Sequence, residues 1–177
     1  MTALIFVSTE VHASSPAPVK KKLKVSSSLF KDKAKLPDSA VFKGMGCTGE
    51  NISPDLKWEG APEGTKSFAV ILHDPDAPTG TGFYHWTLWN IPVTVTSLEP
   101  GSKGPAGSVQ GYTDFGMQGY NGACPPPGDK PHRYEFKVFA LDVEKLDADK
   151  GATAAMVRFM MNGHTLAEGM TTASWSR

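Results

Sequence analysis

An unbroken apolar run, Phe68-Ala69-Val70-Ile71-Leu72, is followed by His73 and stopped by Pro75. It is too short for a good helix and reads as a central strand over residues 67–73. Tyr84 to Ile91 alternates Tyr/His/Trp/Thr/Leu/Trp and stops at Pro92, a second strand rich in aromatics. Tyr134 to Leu141 begins with polar and apolar residues in strict alternation, a third strand. Weaker signals mark a first strand at Leu23–Leu29, a short one at Leu56–Trp58 and another at Val109–Tyr112.

Helical spacing is confined to the end of the chain. Ala155, Met156, Phe159, Met160 and Leu166 predict an apolar helix face between Ala154 and Glu168. Gly163 costs such a helix about 1 kcal/mol relative to Ala. Thr171 to Trp175 follows as a terminal strand. The pattern predicts a mostly β domain with one or two peripheral α-helices. The length, 177 residues, suits a single domain, and 18 Gly with 14 Pro agree with strands and loops.

Charge is balanced overall, with 18 Lys+Arg against 18 Asp+Glu, but it is unevenly placed. Eight lysines up to Lys43 face only Glu10, Asp32 and Asp38, so a basic arm precedes a mildly acidic body. Lys20-Lys21-Lys22 is short and no aromatics interleave with it, which argues for a solvated leader and against a nucleic-acid surface. No apolar stretch approaches the roughly 18 residues of a membrane span. The apolar run Ala3–Val7 and the small-residue site Val11-His12-Ala13 resemble the back half of a signal peptide. Residues 1–22 are therefore expected to be a signal remnant and linker, and 23–177 the folded domain. Export to the periplasm or beyond is the expectation, with the cytoplasm as the alternative. Cys47 and Cys124, an even pair, permit one disulfide in an oxidising compartment and would be two inert thiols in a reducing one.

Two proline-stiffened loops carry the chemistry. One is His73-Asp74-Pro75-Asp76-Ala77-Pro78 leading to Tyr84-His85-Trp86; the other is Cys124-Pro125-Pro126-Pro127-Gly128-Asp129-Lys130-Pro131-His132-Arg133-Tyr134. Proline fixes φ, so such loops lose little entropy in holding one shape. Asp74 and Asp76 form an Asp-x-Asp pair of the kind that a Mg²⁺-dependent phosphohydrolase uses as nucleophile and general acid. Pro78 stands where that pattern wants Thr or Val, and the β/α alternation of such a fold is missing. Metal-ligand signatures and a Gly-x-Ser-x-Gly elbow are absent too. Anion binding fits the residues better. An aspartate can orient a histidine and favour its imidazolium, which then donates to a phosphoryl or carboxylate oxygen. On this reading Asp74 orients, His85 and His132 donate, and Tyr134 lies on the same strand face as His132.

These segments together resemble the phosphatidylethanolamine-binding protein family, and within it the bacterial Raf-kinase-inhibitor-like YbhB/YbcL branch. Gly46-Cys47, Asn51-Ile52-Ser53-Pro54 and the tract from Trp58 to Ala69 support the likeness, which extends over roughly residues 23–175. The resemblance implies a β-sandwich-like fold with a small anion pocket at one end. It implies that Asp74, His85, His132 and Tyr134 line that pocket, with Pro78, Trp86 and the Gly122 loop as walls. It further implies a non-enzymatic protein without cofactor or metal, binding phosphate, phosphorylated head groups or carboxylates, and acting as a modulator or inhibitor of a partner protein. A shorter stretch from Leu98 to Val109 is expected to reshape the pocket rim.

Overall fold

The computed structural model describes residues 21–177. The signal-like run and most of the expected linker lie outside the described residues. The chain forms β1 (Lys21–Lys22), β2 (Lys24–Ser26), β3 (Lys43–Gly44), β4 (Cys47–Thr48), β5 (Leu56–Glu59) and β6 (Ser67–Asp74). There follow β7 (Phe83–Pro92), β8 (Ser97–Leu98), β9 (Val109–Gln110), β10 (His132–Leu141), α1 (Ala154–Met160) and β11 (Thr165–Trp175). A six-stranded sheet has the order β1-β11-β10-β6-β7-β9, and a three-stranded sheet the order β2-β5-β8. The three strands predicted as strongest, β6, β7 and β10, are neighbours in the middle of the large sheet.

Burial on both faces explains the apolar run in β6. Phe68, Val70 and Leu72 pack with Leu56, Trp58 and Leu98 of the smaller sheet, while Ala69 and Ile71 point the other way, toward Leu146, Val157 and Met161. A central strand covered on both sides has no solvent face to fill with polar residues. In β10 the alternation divides Phe136, Val138 and Ala140 from Phe139 and Leu141 between the same two cores. The architecture is mostly strand with one helix, and the sheet does not close into a barrel.

Three elements differ from expectation. The first strand ends at Ser26, not Leu29, because the Asp55 carboxylate draws Ser27, Ser28 and Leu29 into a loop; its oxygens accept from Ser27 Oγ at 2.6 Å and the Ser28 amide at 2.8 Å. Lys21 and Lys22, read as linker, pair in parallel with Ala167 and Glu168 of β11. The helix is only seven residues long and turns a different side inward: Ala154 and Val157 are buried, whereas Met156 and Phe159 are exposed. Gly163, at φ 86°, sits in the left-handed region that ends helices. Leu166 therefore belongs to β11, a strand of 11 residues paired along β10.

Candidate functional site

Three neighbouring strands bring the polar residues to one end of the large sheet. Asp74 closes β6, His85 stands near the start of β7, and His132 opens β10. Above them lies a cavity of about 430 Å³. Its polar lining includes Asp74, His85, Asp114 and His132, and its apolar walls include Met45, Pro78, Phe83, Phe115, Pro125 and Pro126. Among the described residues no lysine or arginine lines it.

His132 is buried and held by carboxylates at both ring nitrogens. Nδ1 donates to Asp74 Oδ2 at 2.7 Å, and Nε2 lies 3.3 Å from Asp129 Oδ2. Burial alone would lower its pKa; the hydrogen bond and charge of Asp74, then of Asp129, outweigh that and raise it. Asp74 is also fixed, since its Oδ1 accepts from the amides of Asp76 at 2.9 Å and Ala77 at 3.1 Å. This turn, stiffened by the proline between its two aspartates, orients the carboxylate for His132. Asp129 differs: its side chain is 42% exposed, and it enters from the loop rim.

His85 reaches the cavity through an irregularity in the sheet. Leu72 pairs with Trp86 and His73 with Tyr84, so β7 carries one extra residue there, His85. A bulge of this kind re-aims a side chain out of the regular alternation. The His85 carbonyl accepts from the Asn121 amide at 2.9 Å. Its ring Nδ1 faces the carbonyl oxygens of Asn121 at 2.9 Å and Gly122 at 3.1 Å, so Nδ1 carries the proton and donates. Burial is the largest influence on this ring and lowers its pKa, against the opposing pull of those carbonyls and of Asp74 and Asp114. Phe83, Phe115 and Tyr134 surround it, with ring centroids 5.1, 5.4 and 5.3 Å away.

Asp76, the second acid of the Asp-x-Asp pair, turns away to Arg133. It accepts from Arg133 Nε at 2.9 Å, Nη2 at 2.7 Å and the Arg133 amide at 2.8 Å. Arg133 holds its carboxyl at about 2, far below the range of a general acid near neutrality. Both Asp74 oxygens are likewise engaged. Among the described residues no group of three or more His, Cys, Asp or Glu is placed to hold a metal ion. The two acids of the Asp-x-Asp pair are thus separated in role, Asp74 bound to His132 and its own loop amides and Asp76 to Arg133.

Of the remaining sequence candidates, Pro78 lines the cavity. Trp86 does not: it is fully buried in the core, its Nε1 donating to Gln110 Oε1 at 3.0 Å. Trp86 resumes the regular pairing opposite Leu72 and packs into the core with Leu72 and Leu88, while the bulge sends His85 to the cavity. Tyr134 lies behind the His85 ring, fully buried. Its hydroxyl makes no hydrogen bond of good geometry among the described residues, and burial followed by the Asp74 charge raises its pKa. Gly122 acts from outside the lining: its amide donates to Asn51 Oδ1 at 2.8 Å and its carbonyl receives His85. A Cβ there would meet the Ala40 carbonyl oxygen at 2.2 Å, so only glycine fits. Cys124, on the cavity wall, is joined by a disulfide to Cys47 of β4. The stretch from Leu98 to Val109 contributes nothing to the lining.

Met45, Phe83, Asp114 and Phe115 also line the cavity and Asp129 meets His132 beside it; none of these is among the sequence candidates. Asp129 had a readable signal, since it lies three residues before His132 in the same proline loop. Asp114 and Phe115 had none, because a Gly-rich stretch without periodicity does not say which strand it will fold against.

Comparison with known proteins agrees with this architecture. The family model described as Phosphatidylethanolamine-binding protein matches residues 26–176. The chain is 48% identical over 172 residues to the UPF0098 protein YbcL of Escherichia coli K12, covering 94% of this chain and 90% of that one. It is 48% identical over 159 residues to YbhB of the same organism, covering 87% of this chain and all of that one (100%). The crystal structure of E. coli YbcL superposes with a TM-score of 0.84 at 49% identity, over 88% of this chain and 99% of that one. A homologue from Chlamydia trachomatis gives a TM-score of 0.78 at 30% identity, over 89% and 99%. With its sheet order, its paired proline loops and these matches along nearly all of the described residues, the chain belongs to the phosphatidylethanolamine-binding protein family.

Proposed function

We propose that the chain is a non-enzymatic binding protein whose cavity takes a small oxyanion, a phosphate ester or a carboxylate. One observation carries the reading: the cavity's own histidine already receives an oxyanion. Asp74 holds His132 as the donor, and Asp129 Oδ2 stands 3.3 Å from the nitrogen that a ligand oxygen would use. An entering anion replaces Asp129 at that nitrogen, and the apolar walls exclude water and strengthen the contact. Ligand roles follow for Asp74 as positioning residue, His132 as donor, Pro78 as wall, and Tyr134 and Gly122 as supports of His85.

The test is calorimetry of inorganic phosphate and acetate against the wild-type chain and His132→Ala. Measurable binding that the variant loses supports the reading; binding unchanged in the variant sinks it. The Cys47–Cys124 disulfide favours export to an oxidising compartment, where such bonds persist. Modulation of a partner protein, with the occupied cavity altering the surrounding loops, is the role that an anion site without a placed nucleophile serves best.

A further inference from the structure

We propose that the cavity takes its oxyanion in singly protonated form, one proton being shared between a ligand oxygen and His85 Nε2. Dihydrogen phosphate and phosphomonoester monoanions are then the favoured class, and dianions such as sulfate are disfavoured. The inference rests on the anion-binding reading and deepens it.

The argument starts from the His85 tautomer. Two carbonyl oxygens, of Asn121 and Gly122, meet its Nδ1, and a carbonyl can only accept. The proton is therefore on Nδ1, and in the neutral ring Nε2 is a lone-pair acceptor. His85 is 97% buried by its 3% exposure, lines the cavity, and its Nε2 makes no hydrogen bond to any described residue. On a buried ring that lines the cavity, an acceptor without a partner among the described residues can take a donor from the ligand. His132 offers the opposite, an N–H at its Nε2. The pair thus matches one O–H and one O⁻ on a single oxyacid.

Charge leads to the same class. The groups facing His85 are Asp74 from β6, Asp114 from the loop beyond β9, and His132 and Tyr134 from β10. The His132 cation is already matched by Asp74 and Asp129, and no lysine or arginine lines the cavity among the described residues. A second negative charge on the ligand would be desolvated beside carboxylates without a partner. Burial also favours the neutral His85 ring. No covalent bond changes: below neutrality the ligand arrives with its proton, and above neutrality one proton is taken from solvent as it binds.

The test is calorimetry on the wild-type chain with inorganic phosphate and sulfate, at about pH 6 and about pH 8, in buffers of different ionisation enthalpy. At about pH 6 phosphate should bind at least about tenfold tighter than sulfate. Near pH 8 phosphate binding should take up close to one proton, and His85→Phe should lose both effects. Equal affinities for phosphate and sulfate, or proton uptake that persists in His85→Phe, overturn the inference while leaving an anion site. Failure of phosphate, sulfate and acetate alike overturns the anion-binding reading and this inference together. The wild-type measurements decide the matter even if His85→Phe does not fold.

Discussion

Asp74 Oδ2 and His132 Nδ1 stand 2.7 Å apart in a buried contact that joins the end of β6 to the start of β10. The two strands are neighbours in the sheet, but their backbone pairing ends at Glu135 and His73, short of His132. The side-chain contact continues the connection where the backbone ladder stops. Asp74 is in turn fixed by two amides of its own loop, so the imidazole inherits a defined orientation.

That contact makes stability depend on pH in a stated direction. The folded pKa of His132 is raised above its unfolded value. Its contribution is fully present below the unfolded pKa of about 6.5 and fades as pH rises through the folded one. His85 has the opposite sign, since its pKa is lowered and protonation at acid pH opposes folding. Asp74→Asn should therefore lower stability by roughly 2 kcal/mol near pH 6, with a smaller deficit near pH 9. Thermal unfolding of both proteins across that range checks it; a deficit that grows toward alkaline pH contradicts it.

Asp129 predicts a gain where most substitutions bring a loss. Its carboxylate occupies His132 Nε2, and its half-exposed side chain can swing to solvent. Asp129→Asn removes the competing charge and should tighten phosphate binding near pH 6 by roughly three- to tenfold. Titrations at that pH compare the two proteins below the raised pKa of the wild-type His132. Weaker binding in the variant would show that Asp129 assists the ligand and does not compete with it.

Much of this frame is legible in the sequence, and the failures have physical causes. β6, β7 and β10 announce themselves because they are central and apolar. The proline loops are visible as stiff segments bearing Asp and His, and the structure brings them together at one cavity. The extra residue in β7 is invisible to a period-two reading, so the sequence does not show that a bulge turns His85 to the cavity, and Trp86, a wall only by the family resemblance, lies in the core. The helical spacing overruns α1 because Leu166, which belongs to β11, falls in phase with it beyond Gly163, and it misplaces the apolar face because Met156 and Phe159 are exposed. Asp114 and Phe115 reach the site only through tertiary folding of a loop with no pattern of its own.

The Asp76–Arg133 pair predicts an acid-sensitive loop. The Asp76 carboxyl is held at about 2, so its stabilising effect is present above the unfolded value of about 3.9 and is lost as pH falls toward 2. Arg133 is 57% exposed, which discounts the effect to about 1 kcal/mol. Asp76→Asn should show that loss near pH 7, and chemical denaturation should find the two proteins converging near pH 2. A phosphohydrolase role would instead appear as metal-dependent ester turnover abolished by the same substitution.

The Cys47–Cys124 bridge closes a loop with a sequence separation of 77 residues. On the chain-entropy account its loss costs about 4 kcal/mol. Cys47→Ser with Cys124→Ser should lower the melting temperature by on the order of 10 °C. It should also weaken phosphate binding, because Cys124 anchors the cavity wall that continues into Pro125 and Pro126. Intact-mass analysis with alkylation reads the bond itself: two free thiols in the unreduced chain would contradict it.

The central claim, that His132 receives the ligand's oxyanion, is tested most directly by following the His132 ring by NMR during phosphate titration near pH 6. The account predicts that its Nε2 resonance shifts in a saturable manner, that the Asp74 contact at Nδ1 is retained, and that His132→Ala loses at least about tenfold in affinity. A saturable phosphate complex that leaves the His132 resonances unmoved and binds His132→Ala equally well would contradict it.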